Sequence, residues 1–165
     1  MGKISRHKTR KCLFQALYSK IYITEQFDKN SLFESFFEEG FSDVVDQEYF
    51  DEMFDGIIKN EAELIYIVER FAPKFNIKSM STVNIIPIFI ASYEILYLKC
   101  DKIPEKVSID EALEITKIYS DNNGRIFVNG VINSIKDNKK EIKKELKNIK
   151  TGKTYFFNKK TGPEI

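Results

Sequence analysis

The chain has 165 residues, of which 42% are hydrophobic and 31% charged, a composition that suits one globular domain able to bury a substantial core. No run of about 18 apolar residues is present, so a membrane span is not expected; nor does an apolar stretch or small-residue cleavage site follow the basic N-terminus, so the expected compartment is the cytoplasm. The net charge of +1 hides a segregation: residues 1–20 carry six Lys or Arg and no acid, residues 21–72 carry fourteen acids against three bases, and residues 136–165 carry ten bases against four acids. A fold that gathers the basic ends would offer one face to a polyanion and keep acidic surface elsewhere.

Apolar spacing is helical nearly throughout. Leu13, Ala16, Leu17 and Ile21 make one core-facing stripe on a helix from about Ser5 to Ile23. Lys8, Lys11, Gln15 and Tyr18 fall on a different side of it, at about 100° per residue. Asn30 or Ser31 caps a short helix through Leu32, Phe33, Phe36 and Phe37 that stops at Gly40. Ser42 or Asp43 opens a long stretch with Val45, Tyr49, Phe50, Met53, Phe54, Ile57 and Ile58, and a second run follows through Leu64, Ile65, Ile67, Val68 and Phe71. Lys59-Asn60 is the expected break between them, and Pro73 ends the second.

Val83 to Leu98 is apolar on almost every side, the mark of a central, deeply buried helix. Pro87 requires either that this helix begin close to it or that it kink there. Ile103-Pro104 reads as a turn. Ser108 and Glu111 have capping-box spacing, which predicts a helix from Ser108 to about Tyr119. Asp121-Asn122-Asn123-Gly124 reads as a second turn. A last helix starts near Arg125, carries Phe127, Val128, Val131, Ile132 and Ile135, and becomes mostly charged from Lys136 to Lys150, where it should project or fray. Residues 151–165 look like a flexible tail. Period-two strand patterns and internal repeats are absent, so the expected fold class is all-α, a single-domain bundle of about seven helices with residues 1–150 as its body.

Enzyme signals are poor. The single histidine, His7, has no cluster of Cys, His or acidic ligands beside it, and structural metal sites need about four ligands. Glycine-rich phosphate loops, nucleophile elbows and zinc-protease helices do not occur. Carboxylates between Glu34 and Glu69 read as solvated helix faces. Cys12 and Cys100 read as small buried hydrophobes. The reading is therefore a protein that is not an enzyme and needs no metal or cofactor.

The basic start points elsewhere. A frayed, solvated terminus is the bland alternative, but Arg6, Lys8, Arg10 and Lys11 have no acids among them, so their field is not cancelled locally. Gln15 and Tyr18 add a hydrogen bonder for base edges and a stacking ring, the combination by which single-stranded RNA is read.

Three segments in order resemble the NusB family. They are Arg6-His7-Lys8-Thr9-Arg10-Lys11-Cys12-Leu13-Phe14-Gln15-Ala16-Leu17-Tyr18; then Ile90-Ala91-Ser92-Tyr93-Glu94-Ile95-Leu96 with Ile103-Pro104 and Val107-Ser108-Ile109-Asp110-Glu111-Ala112; and Phe127-Val128-Asn129-Gly130-Val131-Ile132. The resemblance spans residues 5–150 or so. It implies an all-helical transcription antitermination protein that binds boxA-like single-stranded RNA of ribosomal RNA transcripts. It also implies NusE, the small-subunit ribosomal protein, as a partner within the RNA polymerase antitermination complex. The residues it assigns to RNA, together with the basic stretch, are Arg6, Lys8, Arg10, Lys11, Gln15, Tyr18, Phe127 and Asn129. Phe127 could equally be core, and Gly130 could equally serve close helix packing.

Three departures stand out. Phe89 occupies the place of an arginine in the family's central helix, with Pro87 just before it. Gly124 replaces a serine often found before the Phe-Val-Asn-Gly motif. The tail after Lys150 has no counterpart in the family pattern. Two alternatives accompany the antitermination reading: a structural interaction module of the same fold without RNA affinity, and the truncated N-terminal domain of an RNA cytosine methyltransferase. A helical member can hide an apolar face in a homodimer or leave it for a partner, and both stay open at this stage.

Overall fold

The computed structural model describes residues 3–22, 44–149, 154 and 156–158. Seven α-helices and a 3₁₀ turn account for nearly all of them, with no strand among the described residues. They are α1 (Arg6–Tyr22), α2 (Gln47–Lys59), α3 (Glu61–Phe71), the 3₁₀ turn Ile77–Ser79, α4 (Thr82–Leu96), α5 (Glu105–Tyr119), α6 (Asn122–Asp137) and α7 (Lys139–Leu146). The short helix expected through Leu32 to Phe37, and the caps expected at Ser42 or Asp43, lie outside the described residues.

The all-apolar segment is the hub. Every residue of α4 from Ile85 to Ile95 is buried, and the helix packs against α1, α2, α3, α5 and α6. Pro87 sits in its second turn, where its missing N–H leaves the Val83 carbonyl without its intrahelical partner. Ser5 begins α1 by accepting the Lys8 amide on its hydroxyl at 3.2 Å. The break at Lys59-Asn60 stands as expected, Asn60 closing α2 and opening α3. Asp46 caps α2 by accepting the Tyr49 amide.

Several expectations are corrected. The fifth helix begins at Glu105 and not at a Ser108 capping box; Ser108 is buried, and its hydroxyl donates to Glu94 at 2.9 Å. The Asp121–Gly124 segment is a helix start, with Asp121 accepting the Gly124 amide at 2.7 Å. A Cβ added at Gly124 would collide with Ser120 Oγ and Asn84 Oδ1, which explains glycine there. At Gly130 an added Cβ would meet nothing within 4 Å, so close packing does not account for that glycine. The long last helix is two helices, broken at Asn138, which bonds back to Ser134 and Ile135 and so ends α6. The second of them does not project: Ile142 is fully buried, Arg70 of α3 holds Glu145 at 2.7 Å, and Lys139 holds Glu105 at 2.8 Å.

Part of the tail is likewise seated in the core. Phe156 and Phe157 are buried, their rings 6.1 and 6.2 Å from that of Phe89. The Glu61 carboxylate, at the start of α3 and fully buried, accepts the backbone amides of Phe156, Phe157 and Asn158 at 2.8–2.9 Å. Asn158 also donates to the Ile58 carbonyl, and Lys20 of α1 donates to the Phe157 carbonyl at 3.2 Å. A buried carboxylate is costly unless it is hydrogen-bonded, and three amides in a row meet that need.

The other buried charge lies on α4. Glu94 Oε2 accepts Arg10 Nε at 2.8 Å and the Tyr49 hydroxyl at 2.6 Å; Glu94 Oε1 accepts Arg10 Nη2 at 2.8 Å and the Ser108 hydroxyl. Four donors match the roughly four lone-pair positions of a carboxylate. The network joins α1, α2, α4 and α5 at one point. Burial works against the Arg10 charge, but its bonds to Glu94 outweigh this and raise its pKa; burial, with the neighbouring Glu94, pushes the Tyr49 hydroxyl up as well.

Two stability predictions follow from these buried contacts. Arg10→Ala should lower the unfolding free energy by about 3–5 kcal/mol, because Glu94 would be left buried without its counter-charge. Lys8→Ala, two residues away on the exposed side, should stay within about 0.5 kcal/mol. Urea titration followed by circular dichroism compares them, and equal midpoints would overturn the role given to Arg10. In the same assay Phe157→Ala should cost about 3–5 kcal/mol; an unchanged midpoint would mean that the tail contributes nothing to the core.

Candidate nucleic-acid interface

Helix α1 sorts its own residues by periodicity. Arg10 lies three residues before Leu13 and seven before Leu17, on the buried stripe, and Arg6 lies one turn further back. The expectation that Arg10 faces RNA is therefore corrected. Its side chain is 3% exposed and fully engaged by Glu94, with Glu111 at 3.9 Å. Arg6 is partly exposed but neutralised: it bonds Asp46 at 2.8 Å and Asp101 at 3.1 Å, and its guanidinium lies 4.4 Å above the Tyr49 ring. His7 Nδ1 sits 2.7 Å from Glu111.

The other side of α1 is different. Lys8 is exposed and Lys11 half-buried, and among the described residues neither carries an ion pair. Gln15 is half-buried, its amide donating to the Tyr119 hydroxyl of α5 at 3.0 Å. Tyr18 is 37% exposed and continues a row of rings. Tyr119 stacks on Phe14 at 4.5 Å, Phe14 stands 6.1 Å from Tyr18, and Tyr18 stands 4.9 Å from Tyr22. The row begins in the core at Phe14 and emerges at Tyr22, which is 58% exposed. Unpaired cations with adjacent exposed rings can hold a phosphate backbone and stack bases.

Phe127 and Asn129 lie on α6, on the far flank of α5, which packs against both α1 and α6. Phe127 is half-buried at the core margin, edge-on to the exposed Phe75 at 5.0 Å. Asn129 is exposed, accepts from Asn133, and lines an open groove with Leu113, Lys117, Arg125 and Ile126. The structure thus brings Lys8, Lys11, Gln15 and Tyr18 together, sets Phe127 and Asn129 in a second place, and withdraws Arg10.

The sequence reading missed Glu94, Tyr22 and Tyr119. Glu94 had a signal: it is the only charged residue between Thr82 and Leu98, and a carboxylate in an otherwise apolar helix demands a buried cation. Tyr22 also had one, as the residue one turn beyond Tyr18. Tyr119 had none, since only the packing of α5 on α1 brings it to Gln15. Burial pushes the Cys12 thiol up to about 12 and Cys100 up to about 11, so neither is a ready thiolate near neutral pH. Cys12 is buried as expected, whereas Cys100 is only half-buried. Among the described residues no group of three or more His, Cys, Asp or Glu could hold a metal ion, and no helix is long and apolar enough to cross a membrane.

Known proteins match this chain along most of its length. The family model described as the NusB family matches residues 7–137. The transcription antitermination protein NusB of Clostridium perfringens (strain SM101 / Type A) is 36% identical over 137 residues, covering 82% of this chain and 98% of that one. That of Lactiplantibacillus plantarum is 28% identical over 137 residues, covering 82% and 96%. The solved structure of T. maritima NusB aligns with a TM-score of 0.70 at 26% identity, covering 87% of this chain and 99% of that one. With a family match across α1 to α6 and the same all-helical architecture, this chain belongs to the NusB family.

Proposed function

We propose that this chain is a transcription antitermination protein that acts in the cytoplasm. In this reading it binds boxA-like single-stranded RNA of ribosomal RNA transcripts through the outer side of α1, together with NusE, and joins the RNA polymerase antitermination complex. The observation that carries the reading is the row Lys8, Lys11, Gln15 and Tyr18, where cations free of ion pairs among the described residues adjoin an exposed ring. The RNA class and the partner in this reading are those that the family resemblance implies. The mechanism is assembly without bond-making: the lysines meet phosphates and position the strand, while Gln15 and Tyr18 meet bases. The buried Arg10–Glu94 pair serves this surface indirectly, by fixing the rotation of α1 about its axis. Asn129 and Phe127 extend the contact onto α6 if the RNA passes over the edge of α5.

The test is a fluorescence-anisotropy titration of a labelled boxA-like RNA against a scrambled one, with and without NusE. The expected result is preference for the boxA-like strand, enhanced by NusE. Lys8→Ala/Lys11→Ala/Tyr18→Ala, which leaves the Glu94 network intact, should bind at least about tenfold more weakly. Its log-affinity should also fall less steeply with log salt, by about 0.7 for each lysine that meets a phosphate. Equal, weak binding to both RNAs, unchanged by NusE, would instead favour a protein-interaction module of NusB fold.

A further inference from the structure

The exposed end of the aromatic row suggests how far the RNA footprint reaches. Tyr22, one helical turn beyond Tyr18, is 58% exposed, yet its ring is held on two sides. Its hydroxyl lies 3.2 Å from the Thr82 hydroxyl at the start of α4, and its ring centroid lies 4.9 Å from that of Tyr18 at an interplanar angle of 48°. An exposed tyrosine ordinarily gives up rotamer freedom when it binds something. One already tethered at both its hydroxyl and its ring gives up less, which is the condition for an efficient stacking platform.

We infer that Tyr22 is a second RNA-stacking residue, taking the base next to the one held by Tyr18; this rests on the RNA-binding reading above. The spacing decides the mode. A base sandwiched between two rings would need roughly twice the 3.4 Å stacking distance, and the 4.9 Å between these centroids is too little. The two rings therefore do not clamp one base. Each offers its outer face, and the tilt between them turns the second base away from the first. Such contact tolerates any base, because every base has a π-face, so Tyr22 adds affinity and length of footprint more than sequence choice. Thr82 acts as a positioning residue, keeping the Tyr22 ring from lying down on the helix.

The experiment uses the full chain with Tyr22→Leu, which keeps apolar bulk but removes the ring face, and Tyr22→Phe, which keeps the ring but removes its tie to Thr82. Each is titrated with the boxA-like RNA and with a series in which one nucleotide at a time is made abasic. Tyr22→Leu should bind the intact RNA about tenfold more weakly, the scale of one base on one ring, and Tyr22→Phe should lose less. One abasic position should abolish the difference between wild type and Tyr22→Leu, and it should neighbour the position that does so for Tyr18→Ala. Unchanged binding by Tyr22→Leu, with Tyr18→Ala still impaired, would overturn the inference and leave the RNA reading standing. An equal loss at every abasic position would also overturn it. If wild type shows no preference for the boxA-like RNA, both fall together. Thermal melting of each variant, expected within a few degrees of wild type, separates loss of contact from loss of fold.

Discussion

The Glu94 carboxylate is the constraint on which the rest of this protein hangs. It sits in the last turn of the most buried helix, and an isolated charge there would be too costly to keep. Arg10 supplies the opposite charge, Tyr49 and Ser108 supply the remaining donors, and three helices must therefore meet α4 in one register. Apolar packing alone tolerates sliding and rotation of helices within a wide range. A two-pronged arginine–carboxylate contact does not, because its planar geometry is satisfied in few orientations. A pair of this kind adds little net stability compared with a hydrophobic replacement of the same shape. Its value here is orientation: it fixes which side of α1 is turned outward.

That orientation gives the two sides of α1 different surroundings. Arg10, Leu13 and Leu17 of α1 go inward with Arg6 half-buried at the start of their stripe, and Lys8, Lys11, Gln15 and Tyr18 go to the rim or the outside. The basic opening of the chain is thus divided between neutralised and available charge. Arg6 answers Asp46 and Asp101, Arg10 answers Glu94, and Lys8 and Lys11 carry no ion pair among the described residues. The division also suits the residue types. Arginine, with its rigid fork of donors, holds carboxylates in partly buried places, while lysine, a hydrated point charge, stays at the rim.

Two of this chain's departures from the family pattern, Phe89 and the tail, meet in space. Phe89, where the family resemblance leads one to expect arginine, is fully buried and flanked by Phe156 and Phe157 from beyond the matched region. An apolar ring at position 89 and an aromatic pair in the tail are mutually consistent, since each supplies the surface that covers the other. Glu61 completes the arrangement by binding the tail's backbone, so the tail is held by its amides as well as by its rings.

Local patterns in the sequence determined a good deal. The 3.6-residue spacing of apolar positions gave the helical class, the all-apolar stretch gave the central helix, and Lys59-Asn60 gave a true break, because these are short-range properties of the backbone and of amphipathic faces. The side of α1 bearing Lys8, Lys11, Gln15 and Tyr18 was legible for the same reason. So, in principle, was the burial of Arg10, which falls on the Leu13 and Leu17 stripe; its charge argued for the surface until Glu94 was found to be its partner. The rest was decided by contacts far apart in the chain. Ser108 reads as a capping residue until the fold places a carboxylate 2.9 Å from its hydroxyl. Tyr119 meets Gln15 only after α5 packs on α1, and the tail's amides meet their acceptor only because the fold places Glu61, 96 residues before Phe157, beside them. Periodicity states which residues a helix turns inward, but only the tertiary structure states what waits for them there.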